Sequence, residues 1–446
     1  MNKLANVSTM LNPLVELQKN YCLLVFSGDL KIGKLSDIKD IKSGRRTTDL
    51  PMYSEKTGRS LMKRFLENLA VNSDKRQTIN DFMDDPNTIL YRDTAFTPLP
   101  TSSETLNYWI PPKISASRGT WDLFQNFLKD IICNGDPDLF SYLLHYLAHM
   151  LQKPEEKPEV MLVLLGGQGT GKGSFLKLLQ AIWPATLVVS DIDHIISGFN
   201  SALERNYIVC MDEALFAGQK KAMDRLKSFI TEPTVTVERK FQDRRTIDSV
   251  HRFFATSNHS HFGNIPLDDR RFVFFRVSEK NKRDHKYFQK FNDALKDSSQ
   301  LPAMVHFLNG LDLTNFNVRE KPETTELLRQ KLKSLNGFSR YWYEVLSRGF
   351  FDVASLLGAS LDRWEDAQFI ASEKLCEHFG VFQKGSRQQY QPIQINDISL
   401  GMKEWCPIAE NVRKTHNNFR TRGYQLPALI EAREEFERMI GGKIEW

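Results

Sequence analysis

The sequence has little cysteine and no long apolar run. Its five cysteines are widely separated, and none belongs to a C-x-x-C pair: Cys22, Cys133, Cys210, Cys376 and Cys406. This spacing argues against a structural zinc site and predicts a reducing, cytoplasmic environment. No apolar stretch approaches the roughly 20 residues that a membrane-spanning helix needs. The opening residues, MNKLANVSTMLNP, also lack the apolar core of a signal peptide, so we expect no membrane partner.

An excess of charge of one sign is also missing. The formal net charge is +5 over 446 residues, and the hydrophobic and charged fractions of 41% and 26% are ordinary for globular domains. Any binding of nucleic acid therefore has to depend on local basic clusters rather than on the charge of the whole chain. The length is enough for two to four domains.

A glycine-rich loop follows the apolar run VMLVLL at 160–165 and precedes KGSFLKLLQAIW, which has helical periodicity. A strand, a glycine loop and a helix in this order form a phosphate-binding loop, in which backbone N–H groups and the start of the helix face the phosphates. The candidate nucleotide-binding residues are Gly166, Gly167, Gln168, Gly169, Thr170, Gly171, Lys172, Gly173 and Ser174. Lys172 is expected to bind the phosphates of ATP.

The loop departs from the usual G-x-x-x-x-G-K-[ST] pattern at its last position, which is Gly173. The residue at that position normally supplies a hydroxyl ligand to Mg²⁺. Ser174 lies about 100° further round the helix, so we expect it to be at most a weak metal ligand that contacts the α-phosphate instead. A carboxylate elsewhere in the chain should then hold Mg²⁺ through water.

Two further apolar runs end in polar residues that suit this chemistry. NYIVCMDEALF (206–216) ends in Asp212 and Glu213, and VHRFFATSNHSH (250–261) contains Asn258. Asp212 is the expected partner of Mg²⁺, Glu213 the expected general base that polarises the attacking water, and Asn258 a side chain that contacts the γ-phosphate or that water.

Basic residues occur in three further places. A predicted β-hairpin at 234–254 carries Arg239, Lys240, Phe241, Arg244 and Arg245, which could track a single DNA strand or could form a solvated edge. Arg270 and Arg271 directly precede the apolar run FVFF. Near the end of the chain, Arg413, Lys414, Arg420 and Arg422 predict a winged helix with a basic recognition helix and wing, or else a solvated basic loop.

The order of these motifs resembles the superfamily 3 DNA helicases, which are AAA+ ring motors of viruses, phages and plasmids. The phrases LKSFITEPTVTVERK, ATSNH and DDRRF are similar to the primase-helicase branch found in phages, plasmids and integrated elements. The resemblance implies that Lys240 and Phe241 lie on a pore hairpin that grips DNA. It also implies that Arg271, or Arg270 as second choice, reaches the ATP of a neighbouring subunit.

The expected fold is therefore α/β, with an AAA+ core between a β-rich start and a winged-helix-like end. The expected division is an N-terminal α+β region (1–113), a helical lead-in for oligomerisation (114–157), the ATPase (158–310), a helical linker (311–350) and a DNA-binding domain (351–446). The lead-in is predicted from apolar residues at steps of three and four from Trp121 to Ile131, and from the capping residue Asp136.

We predict an ATP- and Mg²⁺-dependent replicative helicase of a mobile element, which acts on single-stranded and duplex DNA as a homo-oligomeric ring, most simply a hexamer. No D-x-D pair lies on a convincing strand, so we expect a separate primase or polymerase. The alternative is a replication initiator in which ATP controls assembly on DNA without much unwinding. A nucleoside monophosphate kinase, whose loop also has Gly after Lys, lacks an acidic-pair strand and is disfavoured.

Overall fold

The structure of the protein is a computed structural model, in which the chain divides into two compact units. The first unit lies within 1–215, 221–260 and 270–322, and the second within 216–220, 261–269 and 323–446. The structure describes residues 11–26, 28–43, 50–69, 73–190, 195, 200–214, 216, 220–238, 244–297, 299–351, 362–385, 394–416 and 419–446. The finer five-part division stays a prediction.

The first unit begins with a small sheet and four helices. In chain order these elements are α1 (Pro13–Asn20), β1 (Tyr21–Phe26), β2 (Asp29–Lys34), α2 (Leu35–Lys42), β3 (Tyr53–Ser54), α3 (Glu55–Asn68), α4 (Lys75–Asp84) and β4 (Leu90–Tyr91). The sheet order is β3-β2-β1-β4, with β1 antiparallel to β2 and parallel to β4. Two short strands, β5 (Asp93–Ala95) and β6 (Thr105–Asn107), follow as a separate parallel pair.

Helix α3 packs closely on strand β2 because Gly58 has no side chain. A Cβ atom at Gly58 would lie 2.7 Å from Cβ of Ile32 and 2.4 Å from its Cδ1. Met62 and Leu66 continue the same buried face of α3, and Ile79 and Phe82 of α4 join them in one apolar cluster. This cluster fixes the two helices beside each other.

Helices are present in the segment that the sequence predicts as a helical lead-in, and its role in oligomerisation stays a prediction. The segment consists of α5 (Asp122–Asn126), a π-helical segment (Phe127–Ile132) and α6 (Pro137–Gln152). Asp136 caps α6, because its Oδ1 accepts the backbone N–H groups of Asp138 and Leu139 at 3.0 Å. Phe124 and the apolar face of α6 are buried in the core that also contains the central sheet.

The centre of the first unit is a parallel sheet in the order β13-β7-β12-β9-β8. Its elements and their neighbours are β7 (Met161–Leu165), α7 (Lys172–Ile182), β8 (Thr186–Val189), β9 (Ile208–Met211), α8 (Lys220–Thr231), β10 (Thr234–Val237), β11 (Arg245–Asp248), β12 (Arg252–Ser257), β13 (Phe272–Arg276), α9 (His285–Ala294) and α10 (Gln300–Asn309). Strands β7, β9, β12 and β13 coincide with apolar runs of the sequence. They are buried on both faces, as parallel strands between helices are.

The second unit has a separate core and a mixed set of short elements. They are α11 (Thr325–Ser334), α12 (Gly337–Arg348), β14 (Phe350–Phe351), β15 (Asp362–Arg363), β16 (Gln368–Ala371), α13 (Ser372–Gly385), α14 (Ile395–Trp405), β17 (Glu410–His416), β18 (Phe419–Leu426) and α15 (Leu429–Ile440). Strands β16, β18 and β17 form an antiparallel sheet in that order. Trp342 and Trp364 are fully buried, with ring centroids 5.6 Å apart.

Among the residues that the structure describes, no helix is both long and apolar enough to cross a membrane. The five cysteines are free thiols, and four of them are buried.

The contact at Gly58 gives a test of the packing of α3. Replacing Gly by Ala inside a helix gains up to about 1 kcal/mol of helix propensity, whereas overpacking a core typically costs about 1–3 kcal/mol. The added methyl would meet Cβ of Ile32, which cannot rotate away. We therefore expect Gly58→Ala to lower the free energy of unfolding, measured by urea denaturation. Thr57→Ala, at the exposed neighbouring position, is the control, and a Gly58→Ala variant more stable than wild type would contradict the close packing.

Candidate nucleotide-binding site

The predicted site residues meet at the carboxyl ends of the central strands. Strands β7, β9 and β12 are parallel, so their carboxyl ends lie on the same side of the sheet. Gly166 follows β7, Asp212 follows β9, and Asn258 follows β12. The side chains that the sequence suggested from separate segments are therefore brought together.

The loop after β7 turns through backbone conformations that favour glycine. Gly169 has φ +77° and Gly171 has φ +110°. A Cβ atom at Gly171 would lie 3.1 Å from ring atoms of Phe127 and Phe288. Thr170 steadies the loop, since its Oγ1 donates a hydrogen bond to the carbonyl of Gly167 at 2.9 Å. Helix α7 begins directly after this turn and points its N-terminus toward the cleft that the loop borders.

The side chain of Lys172 links the loop to the end of β12. Its Nζ donates hydrogen bonds to the carbonyl oxygens of Gly166 and Gly167 at 2.7 and 2.8 Å, and to Oδ1 of Asn258 at 2.7 Å. Burial lowers the pKa of the Lys172 ammonium, while Asp212 and Glu213 act in the opposite direction. The positive charge thus lies in a partly desolvated position beside two carboxylates.

The acidic pair is positioned by Thr256, the penultimate residue of β12. Its hydroxyl donates to Oδ1 of Asp212 and accepts the backbone N–H of Glu213 at 3.3 Å. Glu213 has φ +57°, a conformation that costs a non-glycine residue free energy and often occurs at functional sites. Its Oε1 accepts a hydrogen bond from Nδ2 of Asn258 at 3.2 Å. Asn258 therefore contacts both Lys172 and Glu213.

A cleft of about 420 Å³ lies beside these groups. Gln168, Gly173 and Ser174 of the predicted loop line it, together with Asp212, Glu213 and Asn258. Another group of lining side chains was not predicted from the sequence. They come from α7, from the residue pair before α9 and from α9 itself: Lys177, Arg283, His285, Phe288 and Asn292.

Arg283 is the most informative of the missed residues. Its backbone N–H donates to the carbonyl of Gly169 at 3.0 Å, and its φ is +61°. This contact attaches the segment before α9 to the loop and directs a guanidinium group toward the cleft. The positions are more than 100 residues apart in the chain, so no local sequence pattern would have connected them.

The residues fit a nucleoside triphosphate with Mg²⁺. The loop has the glycine conformations, the lysine and the helix N-terminus that bind phosphates, and Asp212 is a carboxylate at the same end of the strands. Gly173 is exposed, and a Cβ atom there would have no other atom within 4 Å.

Arg270 and Arg271 lie at the amino ends of the strands, opposite the end at which the phosphate loop lies. Arg271 directly precedes β13, and its carbonyl accepts the N–H of Met161, the first residue of β7, at 2.8 Å. A strand rises about 3.3 Å per residue, so the five residues of β7 separate Arg271 from the loop by roughly 16 Å. Arg270 is exposed and Arg271 half-buried.

A hairpin is present as the antiparallel pair β10 and β11, but it is shorter than predicted, because 252–254 belong to the central strand β12. Asn200 holds the turn end of β10, since its Nδ2 donates to the carbonyl of Thr236 at 3.1 Å and its Oδ1 accepts the N–H of Glu238 at 3.0 Å. Arg239, Lys240 and Phe241 lie outside the described residues.

The two other arginines of the hairpin differ in their surroundings. Arg244 is exposed and pairs with Glu238 at 2.9 Å. Arg245 bonds to the buried carboxylate of Glu204 at 2.5 Å and to Thr94 Oγ1 at 2.6 Å. This geometry favours a structural role for Arg245 and does not favour the predicted DNA contact.

The C-terminal basic residues lie on strands and not on a helix. Arg413 and Lys414 belong to β17, and Arg420 and Arg422 to β18; all four are exposed. The expectation of a basic recognition helix is wrong, because α14, the helix before the hairpin, has one lysine and two carboxylates.

Comparisons with known proteins show that the chain is similar to a phage protein. Residues 164–271 match the sequence model of a family of unknown function, DUF5906. Over 262 residues the chain is 26% identical to the DNA primase-polymerase of Nitratiruptor phage NrS-1. This alignment covers 54% of the chain and 36% of the relative, so the chain spans about a third of that protein's length.

Two solved structures of the C-terminal region of NrS-1 have a similar fold. The apo structure has a TM-score of 0.65 at 17% identity, covering 93% of this chain and 99% of that one. An A-form apo structure of the same region has a TM-score of 0.65 at 16% identity, covering 93% and 100%. At these identities the similarity shows the fold alone.

The open space at Gly173 predicts that Gly173→Ser keeps nucleotide binding. An added Cβ atom meets nothing within 4 Å, so the dissociation constant for ATP, measured by calorimetry, should change by no more than about threefold. Gly171→Ser is the matched control and should abolish binding, because φ of +110° and the two phenylalanine rings exclude a side chain. A folded Gly173→Ser variant that does not bind ATP would contradict this account of the loop.

Proposed function

We propose that the chain is an ATP-dependent DNA motor in the replication of a mobile genetic element, acting as a homo-oligomeric ring. The observation that carries the proposal is the connected set of polar contacts from Lys172 through Asn258 to Glu213, beside Asp212 and Thr256. A loop that bound a nucleotide only as a structural ligand would not need a second carboxylate held next to the metal-binding one.

Each residue has a role that follows from its place. Lys172 binds phosphate oxygens, exchanging some of its present acceptors for them. Thr256 orients Asp212, which would hold Mg²⁺ through water, and Mg²⁺ would supply charge neutralisation at the phosphates. Glu213 accepts the proton of the attacking water. Asn258 hydrogen-bonds to both Glu213 and the ammonium of Lys172, and so fixes their relative positions.

The comparisons support a role in phage replication. The relative of which about a third is matched is a phage DNA primase-polymerase, and the similar solved structures are of its C-terminal region. The strand order β13-β7-β12-β9-β8, with the phosphate loop after a central strand, suits an AAA+ ATPase. The exposed basic strands β17 and β18 suit a wing that contacts phosphates of duplex DNA.

The ring is supported by the position of Arg270 and Arg271. An arginine roughly 16 Å from the cleft of its own chain is too far to contact a nucleotide there, but it can serve the cleft of a neighbouring subunit. Such an arginine stabilises charge on the transferred phosphoryl group. This placement supports the proposal of a homo-oligomer in which each chain completes the next chain's site.

The roles of Lys172 and Glu213 are separable. Lys172→Ala should abolish ATP binding, whereas Glu213→Gln should bind ATP normally and lower the rate of hydrolysis by about 10²- to 10⁴-fold, the range that general bases contribute. Binding is measured by calorimetry and turnover by phosphate release. Equal turnover by wild type and Glu213→Gln would show that Glu213 is not the base.

The ring itself is tested by mixing two inactive variants. Arg271→Ala should lower turnover by about 10³-fold or more, as should Lys172→Ala. Mixed rings contain some interfaces at which an intact loop meets an intact arginine, so the mixture should regain hydrolysis. Arg270→Ala is examined in parallel to decide which arginine acts. If neither arginine variant recovers activity in mixtures of proven mixed assembly, the site is complete within one chain.

A further inference from the structure

A second cleft, of about 550 Å³, lies between α3 and α4 in the N-terminal part of the first unit. The described residues that line it contain four basic side chains and no carboxylate: Arg59, Ser60, Lys63, Lys75, Arg76, Ile79 and Asn80. In a chain whose net charge is only +5, this is a local concentration of positive charge. Nothing in the proposed ATPase chemistry uses it.

The basic groups converge because the apolar faces of the two helices are buried together. Arg59 and Lys63 are four residues apart on α3, so they lie on one face of that helix. Lys75 and Arg76 form the first turn of α4. The shared apolar cluster that includes Met62 and Phe82 holds the helices in place and leaves these basic positions at the groove.

One of the four basic groups is fixed and three are available. Arg59 donates to Oε1 of Glu55 at 2.8 Å and to Oδ1 of Asn80 at 2.9 Å, which orients its guanidinium. Within the described part of the chain, the charged ends of Lys63, Lys75 and Arg76 form no ion pair. Three like charges close together repel one another, and an anionic ligand beside Lys63, Lys75 and Arg76 relieves that repulsion.

The lining favours a phosphate chain over other anionic ligands. No aromatic ring is among the described residues that line the cleft, so they offer no platform for stacking bases. Several positive groups along a groove instead suit successive phosphates of a backbone, whose binding releases counterions. The backbone N–H groups of Arg76 and Gln77 are not available to a ligand, because Asp74 caps them.

We infer that the cleft between α3 and α4 binds the phosphodiester backbone of a DNA strand without reading its sequence. The choice of DNA over other polyanions rests on the proposed function, whereas the presence of the basic cleft does not depend on it. The site is separate from the hairpin β10–β11 and from the nucleotide cleft, since none of its lining residues belongs to either.

A lysine footprint on the wild-type full chain tests this directly. The protein is acetylated briefly with and without a saturating oligo(dT) strand, and modified lysines are quantified by mass spectrometry. Lys63 and Lys75 should be protected by about fivefold or more, because bound phosphates cover their ammonium groups. Lys39 and Lys42, exposed on α2 and outside the cleft, should react equally in both samples.

Affinity measurements on variants give a second readout. Lys63→Ala/Lys75→Ala should weaken oligo(dT) binding by about tenfold at low salt. The double variant should also reduce the slope of log affinity against log salt concentration by about 1.4, because each single-strand phosphate contact contributes roughly 0.7. Lys42→Ala/Arg64→Ala removes the same charge at exposed positions outside the cleft and should change little. Equal loss by both pairs would overturn the inference, because it would show an effect of net charge alone.

The remaining outcomes separate this inference from the proposed function. Protection of Lys63 and Lys75 by oligo(dT) in a protein that does not hydrolyse ATP would support the cleft and contradict the motor. DNA-stimulated hydrolysis with Lys63 and Lys75 unprotected would overturn the cleft and leave the motor. Equal protection by inorganic phosphate at the same phosphate concentration would also overturn the inference, since it would show a site for small anions.

Discussion

The hydrogen bonds of the Lys172 ammonium group hold the candidate site together. They join the loop after β7 to the amide at the end of β12, at distances of 2.7–2.8 Å. These acceptors directly follow two neighbouring strands. Their position around one ammonium group therefore depends on the parallel register of β7 and β12, in which Leu165 is opposite Ser257. A shift of one residue would turn every side chain of β12 to the other face and separate Asn258 and Thr256 from the loop and the acidic pair.

The same register accounts for what the sequence could predict. Each strand of the site is an apolar run that ends in polar residues, and the loop has a spacing with a direct physical meaning. Local pattern therefore predicted the positions of β7, α7, β9 and β12. That Asp212 and Asn258 face one cleft needed only the further assumption that buried strands between helices are parallel.

Residues whose role depends on distant contacts could not be predicted. Arg283 reaches the cleft because its backbone bonds to Gly169, and Thr256 became important only when β12 was paired with β9. Arg245 was expected at DNA because a basic cluster alone does not reveal a buried partner such as Glu204. The four C-terminal basic residues were assigned partly to a helix, although all four lie on β17 and β18.

The central claim is that nucleotide hydrolysis in this cleft drives work on DNA. The most direct measurement is the rate of ATP hydrolysis with and without single-stranded DNA, alongside displacement of a labelled strand from a partial duplex. The account predicts Mg²⁺-dependent hydrolysis that single-stranded DNA accelerates, and strand displacement that requires hydrolysable ATP. ATP binding with no hydrolysis and no displacement under any DNA condition would contradict it.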